Sequence, residues 1–184
     1  MCIPSRYRQS GISLVELVMF IVIVGVAVAG VLSVMNVTTR HSADPMLRKQ
    51  AQAIAESLLE EIELQPFTYC DPDDANAASA ADATGCATTA EALGPEAGET
   101  RNTSPQFDNV NDYNGVSMSP IADITGSPIA GLDAYTASVN ITQAGAAFSL
   151  PAEAVLQIDV RVVSGDTDIT LTGYRFRYAP NAVP

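Results

Sequence analysis

Gly11-Ile12-Ser13-Leu14-Val15-Glu16 opens an apolar run that continues to Met35. From Leu17 to Leu32 no side chain is polar. With Ile12–Glu16 and Ser33–Met35 added, the span reaches roughly the two dozen residues that a tilted bilayer helix needs. Val and Ile dominate it, which a helix in lipid tolerates because its backbone has no other way to satisfy its polar groups. Gly25 and Gly30 sit inside the run. They permit close helix approach or local unwinding, or are simply small residues in a membrane helix. Glu16 stands out, because a carboxylate in hydrocarbon is costly and is by default a functional hypothesis.

Three identities compete for such a segment. A secretory signal peptide has a short apolar core and a small-residue cleavage site after it. Here the core is longer, and it continues past Ala27-Val28-Ala29. A plain signal anchor fits the length and the preceding Arg6 and Arg8, but gives no reason for Glu16. In the third, the Gly-Ile-Ser-Leu-Val-Glu string before a membrane span resembles the type IV prepilin family. That resemblance implies cleavage by a prepilin peptidase between Gly11 and Ile12, followed by N-methylation of Ile12. It also implies that Glu16 is the assembly carboxylate, pairing with the amino terminus of a neighbouring subunit. The chemistry is coherent. The new amino group on Ile12 is positive, Glu16 lies about one helical turn away, and opposite charges attract strongly where the dielectric is low. The first mature residue in the family is commonly Phe, and here it is Ile12.

The 184 residues carry 9 basic and 21 acidic side chains. Without Arg6 and Arg8 the chain from Ile12 onward stands near −14. That balance argues against nucleic-acid binding, which needs a basic patch. The arginines before the span place that end in the cytoplasm, so the larger part lies outside the inner membrane. The chain beyond the span is long enough for one modest globular domain. Cys2 belongs to the leader. Cys70 and Cys86 remain as an even pair in an oxidising compartment, which predicts a disulfide. It would close a loop of about fifteen residues, worth roughly 3 kcal/mol in the chain-entropy picture. No other zinc-type ligand is near them.

His41, the single histidine, reads as a solvated boundary residue. Asp44-Pro45 predicts a kink or a short break, with Asp44 a candidate cap for a fresh helical start. Leu47, Ala51, Ile54, Ala55, Leu58 and Ile62 then recur at helical spacing, with Glu56, Glu60, Glu61 and Glu63 towards the other side. This stripe needs an apolar partner, most naturally a sheet in the same chain. Pro66 ends the helix. A continuous helix from Ile12 to Gln65 would be roughly 80 Å long, which suits a filament spine better than a globular core.

From Phe67 to about Leu132 apolar periodicity fades, and such a stretch is functional or mobile as a rule. Its densest cluster is Phe107-Asp108-Asn109-Val110-Asn111-Asp112-Tyr113-Asn114-Gly115. These oxygens are of a type calcium favours, but the spacing does not match the helix–loop–helix calcium signature. Turns held by side-chain-to-backbone bonds are the reading adopted, with no metal assigned. No cofactor is expected, and no nucleophile–base set or phosphate loop is visible, so no enzymatic activity is expected. The last third alternates as strands. Tyr135, Ala137, Val139 and Ile141 form one run, and Leu156, Ile158, Val160 and Val162 a second. After a turn at Ser164-Gly165-Asp166 comes a third, Ile169 and Leu171, then Tyr174, Phe176 and Tyr178. The apolar parity flips at Gly173, which predicts a β-bulge.

The expected fold is thus α+β, a long N-terminal transmembrane and amphipathic helix packed on a small antiparallel sheet, as in type IV pilins. The divisions are a leader (1–11), a transmembrane half-helix (12–35), an extracytoplasmic amphipathic half (36–65), an irregular region (66–131) and the sheet (132–184). Several further stretches resemble minor pilins of the mannose-sensitive haemagglutinin (MSHA) type pilus. They are Ser42-Ala43-Asp44-Pro45, Ala53 to Ile62, Pro66-Phe67, Leu93-Gly94-Pro95-Glu96, the Phe107–Gly115 cluster and Leu171-Thr172-Gly173-Tyr174-Arg175. The resemblance implies a low-abundance subunit that helps start or cap pilus assembly. Its expected partners are the prepilin peptidase, other major and minor pilins and the assembly platform in the inner membrane. A pseudopilin of a type II secretion system and a pilus-tip adhesion module are the alternatives.

Overall fold

Leu14 to Glu63 forms one helix, α1, with Pro45 inside it. The break expected at Asp44-Pro45 is therefore absent: the helix neither stops nor restarts there, and Asp44 lies within it rather than at a new start. Proline removes only its own backbone donor, so flanking turns can keep their bonds. The computed structural model describes residues 11–183, and the side chains of all of these except 37–44. The readings of Arg6, Arg8, Cys2 and the His41 side chain fall outside the described residues. By its internal contacts the chain divides after Pro45 into two compact units.

In the first unit, Leu14–Asn36 is 23 residues long with a mean hydropathy of 2.9, apolar and long enough to cross a membrane. Its large side chains, from Leu14 to Met35, are exposed. A helix that is apolar all round has no face to hide in water and is at home in lipid or in a large core.

The second unit is built on the stripe. Ala51, Ala55, Leu58 and Ile62 are buried, with Ile54 and Leu59 packed beside them. They cover one face of a four-stranded antiparallel sheet of order β1-β2-β3-β4. The strands are β1 (Ser117–Met118), β2 (Thr136–Gln143), β3 (Val155–Ser164) and β4 (Thr167–Phe176). The inner-face registers are Ala137 opposite Val162, Val139 opposite Val160 and Ile141 opposite Ile158, continued by Leu171 opposite Val160 and Ile169 opposite Val162. One face apolar and the other polar is the usual state of an antiparallel sheet. On the outer face Arg161 forks onto Asp168, and Thr172 donates to Asp159. Gly165 supplies the φ of 55° that the two-residue hairpin turn between β3 and β4 requires. β1 is a fourth strand that the alternation did not reveal, because two residues carry no period.

The bulge expected at Gly173 is not there. β3 and β4 pair without a skipped residue from Val155–Phe176 to Ser164–Thr167. Gly173 itself faces inward and is buried. A Cβ on it would lie 2.4 Å from Glu63 Oε1 and 2.9 Å from Leu59 Cδ1, so the missing side chain lets the end of α1 lie on the strand. Tyr174 and Phe176 are on the outer face, where Phe148 meets both edge-on at 5.4 and 5.1 Å. The parity flip marks a change in which face carries the apolar residues, not a change of register.

The stretch between helix and sheet is irregular but packed. Phe67, Val110, Tyr113 and Ile121 join the main core. Arg101 reaches Glu61 through two bonds of 2.7 Å, and its remaining nitrogen donates to the carbonyls of Ala122 and Asp123. Tyr113 adds its hydroxyl to the same carboxylate at 3.0 Å. Glu61, placed by its spacing on the side away from the apolar stripe, is thus half-buried. It ties two separate segments to the helix, and Arg101 links a third at Ala122–Asp123.

Candidate functional site

The amino-terminal segment is the candidate site that the sequence points to. Gly11, Ile12 and Ser13 precede the helix, and Leu14 begins it. Ile12 is exposed, and among the described residues nothing lies within 4 Å of where a Gly11 Cβ would stand. Gly11 and Ile12 are thus exposed, non-helical backbone on the side of the described residues. The Ser13 hydroxyl accepts from the Glu16 amide at 3.4 Å, and the Ser13 carbonyl accepts the first helical bond from Leu17 at 3.1 Å. Ser13 is the N-cap, which places Glu16 three residues on, in the first turn. Ser-x-x-Glu at a helix start is a capping-box pattern, and a carboxylate there is favoured by the positive end of the helix. The reading of Glu16 as an assembly carboxylate left out this second, local reason for it. The spacing Ser13-Leu14-Val15-Glu16 was the available signal.

A second constellation is the loop between Cys70 and Cys86. The two cysteines are joined, with Cα atoms 5.5 Å apart. Asp74 lies at its centre. Its carboxylate accepts from the amides of Asn76, Ala87, Thr88 and Thr89 and from the Thr88 hydroxyl, at 2.6–3.0 Å. These backbone donors hold its pKa far below the usual carboxylate range. The side chain ties the segment 87–89, just after Cys86, to the turn that follows Cys70. Asn181 closes the outside of the loop by donating to the carbonyls of Ala77 and Ala80.

The third is acidic. Glu91, Glu96 and Asp112 bring carboxylate oxygens within 4.8 Å of one another, and Asp71, Glu99 and Asp108 form a similar group. The expected turn chemistry of 107–115 is present, since Asp112 Oδ2 accepts from the amides of Asp108 and Asn109 at 3.0 and 2.8 Å. Asn114 Oδ1 likewise accepts from the Ile141 amide at 2.9 Å. Burial first, then the neighbouring carboxylates, raises Glu91 to about 10 and Asp108 to about 7. Burial likewise raises Glu96 and Asp112.

Finally, an apolar groove of about 460 Å³ runs between α1 and the 118–132 segment, lined by Ile54, Leu58, Met118, Ile121, Ile129 and Leu132. Its charged lining includes Arg101 and Glu61, which already satisfy each other. It offers no free acid–base pair.

No family model, curated protein or solved structure matches this chain.

Proposed function

We propose that this chain is a minor type IV pilin of an MSHA-like pilus, similar to the minor pilin MshD, that helps start or cap filament assembly and has no enzymatic role. The observation that carries the reading is the sequence Gly11-Ile12-Ser13-Leu14-Val15-Glu16 standing at the mouth of a membrane-length helix. The exposed backbone at Gly11 and Ile12 supports peptidase access. The capped first turn supports a fixed position for Glu16, one turn from the amine that cleavage would create. An α+β body on the far part of the same helix supports a subunit that leaves its sheet outside the membrane while its apolar rod packs with other pilins. In this reading the chain first sits in the bacterial inner membrane as a single-pass protein with its body outside the cytoplasm, and then enters the pilus.

Mass spectrometry of the amino terminus of protein recovered from cells tests it. The expected terminus is Ile12, one methyl group heavier than the unmodified residue. A chain that keeps residues 1–11 in cells with an active prepilin peptidase overturns it.

A further inference from the structure

We propose that Glu91, Glu96 and Asp112 hold a divalent hard cation of the calcium class. Their carboxylate oxygens lie within 4.8 Å of one another. Ligands at about 2.3–2.6 Å around one ion lie no more than about 5 Å apart, so the spacing is that of a coordination shell.

The second observation is independent of the clustering. Asp112 is fully buried, at 0 % exposure. Its Oδ2 is occupied by two backbone amides, while its Oδ1 is buried with no amide, hydroxyl or cationic donor, and the Glu96 carboxyl stands beside the Asp112 side chain. Both carboxylate oxygens of Glu91 are in the same condition. Buried acceptors without donors are rare, and buried anions without partners are costlier still. Protein cations do not fill the gap. Among the described residues the ion pairs are Arg101–Glu61 and Arg161–Asp168. Arg177 lines a small cavity with Glu91 and lies within electrostatic range of it, but makes no ion-pair contact there, its guanidinium stacking over Phe67 and Tyr69, 4.1 and 4.8 Å from the ring centres.

The donor chemistry selects the ion. All three side chains are carboxylates, with no histidine or thiolate, which suits calcium or magnesium rather than zinc or copper. They come from the irregular segment 91–96 and from a 3-10 turn at Val110–Tyr113, which the Gly94 amide joins by donating to the Asn111 carbonyl at 3.0 Å. Calcium accepts irregular shells, while magnesium demands near-ideal octahedra. The amide oxygens of Asn109 and Asn111, in the same turn as Asp112, are also buried without donors. The more open group of Asp71, Glu99 and Asp108 adds negative field that would draw cations in. The site is independent of filament entry, and its bound ion would further pin the two segments that carry it.

Titration of CaCl2 into the full-length, chelator-stripped protein in detergent at neutral pH, by calorimetry and thermal unfolding, tests this. The expected result is one saturating Ca2+ per chain and a Tm higher by several degrees. Glu91→Gln and Glu96→Gln, both at partly exposed positions, should each weaken binding at least about tenfold with an unchanged circular dichroism spectrum, since affinity follows ligand charge. No saturable heat together with an unmoved Tm overturns the proposal. So does undiminished binding in the double variant. A double variant that is more stable in chelator, where the parent protein ignores Ca2+, also overturns it, because that pattern marks carboxyl groups kept protonated instead.

Discussion

At the scale of single residues, Gly173 marks where the end of α1 meets β4. A side chain there meets the ends of Leu59 and Glu63, which hold the last turn of α1 against β4. Glu63 is exposed and can swing away, but Leu59 is part of the packing. Gly173→Val should destabilise the second unit by about 1–3 kcal/mol, the usual cost of overfilling a packed interface. Chemical unfolding in detergent, followed by tyrosine fluorescence, measures it. Alternation of residue types could not reveal this position, because a glycine has no polarity to place it on a face. The same blindness affected Glu61. On a helical wheel it belongs with the acids, and only the arrival of Arg101 and Tyr113 from distant sequence makes it an interior partner.

At the scale of elements, the strands β2 and β3 were legible because Ala137, Val139 and Ile141, and then Ile158, Val160 and Val162, alternate with polar residues on a half-buried sheet. The stripe from Ala51 to Ile62 was legible for the same reason at helical period. The region from Phe67 to Leu132 was not, since its order comes from side chains acting on backbone rather than from periodicity. Asp74 is the clearest case. Its backbone bonds put its folded pKa below the ordinary value of about 3.9. Stability from such a group is present above the unfolded pKa and lost as pH falls through that value towards the folded one. The protein should therefore keep this contribution at neutral pH and shed it on acidification below about pH 4. Asp74→Asn should lower Tm at neutral pH and flatten the acid limb of a Tm-against-pH curve. An acid limb as steep as that of the parent protein would mean that other carboxylates set it. The candidate site at Gly11–Glu16 was legible as a motif, and the capping bond from Ser13 adds geometry to it. The acidic group of Glu91, Glu96 and Asp112 was not legible, because its members are separated by up to 21 positions and only the fold brings them together.

At the scale of the whole molecule, the two units answer to different solvents. The first exposes its large apolar side chains, and the second buries a main core between helix and sheet while leaving others, such as Leu64, Phe148 and Tyr178, exposed. Under the pilin reading, Glu16→Ala should leave the protein in the membrane fraction but lower its share in sheared filaments, or the number of filaments, several-fold. Immunoblots of membrane and sheared fractions decide it, and an unchanged filament share would separate Glu16 from assembly. Among the described residues, no apolar side chain before Ala51 is shielded from solvent. Shortening the gene so that translation begins near Met46 would remove the apolar span yet keep every residue of the main core. Under the pilin reading that shortened protein is expected to stay in solution without detergent, and gel filtration of it in plain buffer checks the expectation.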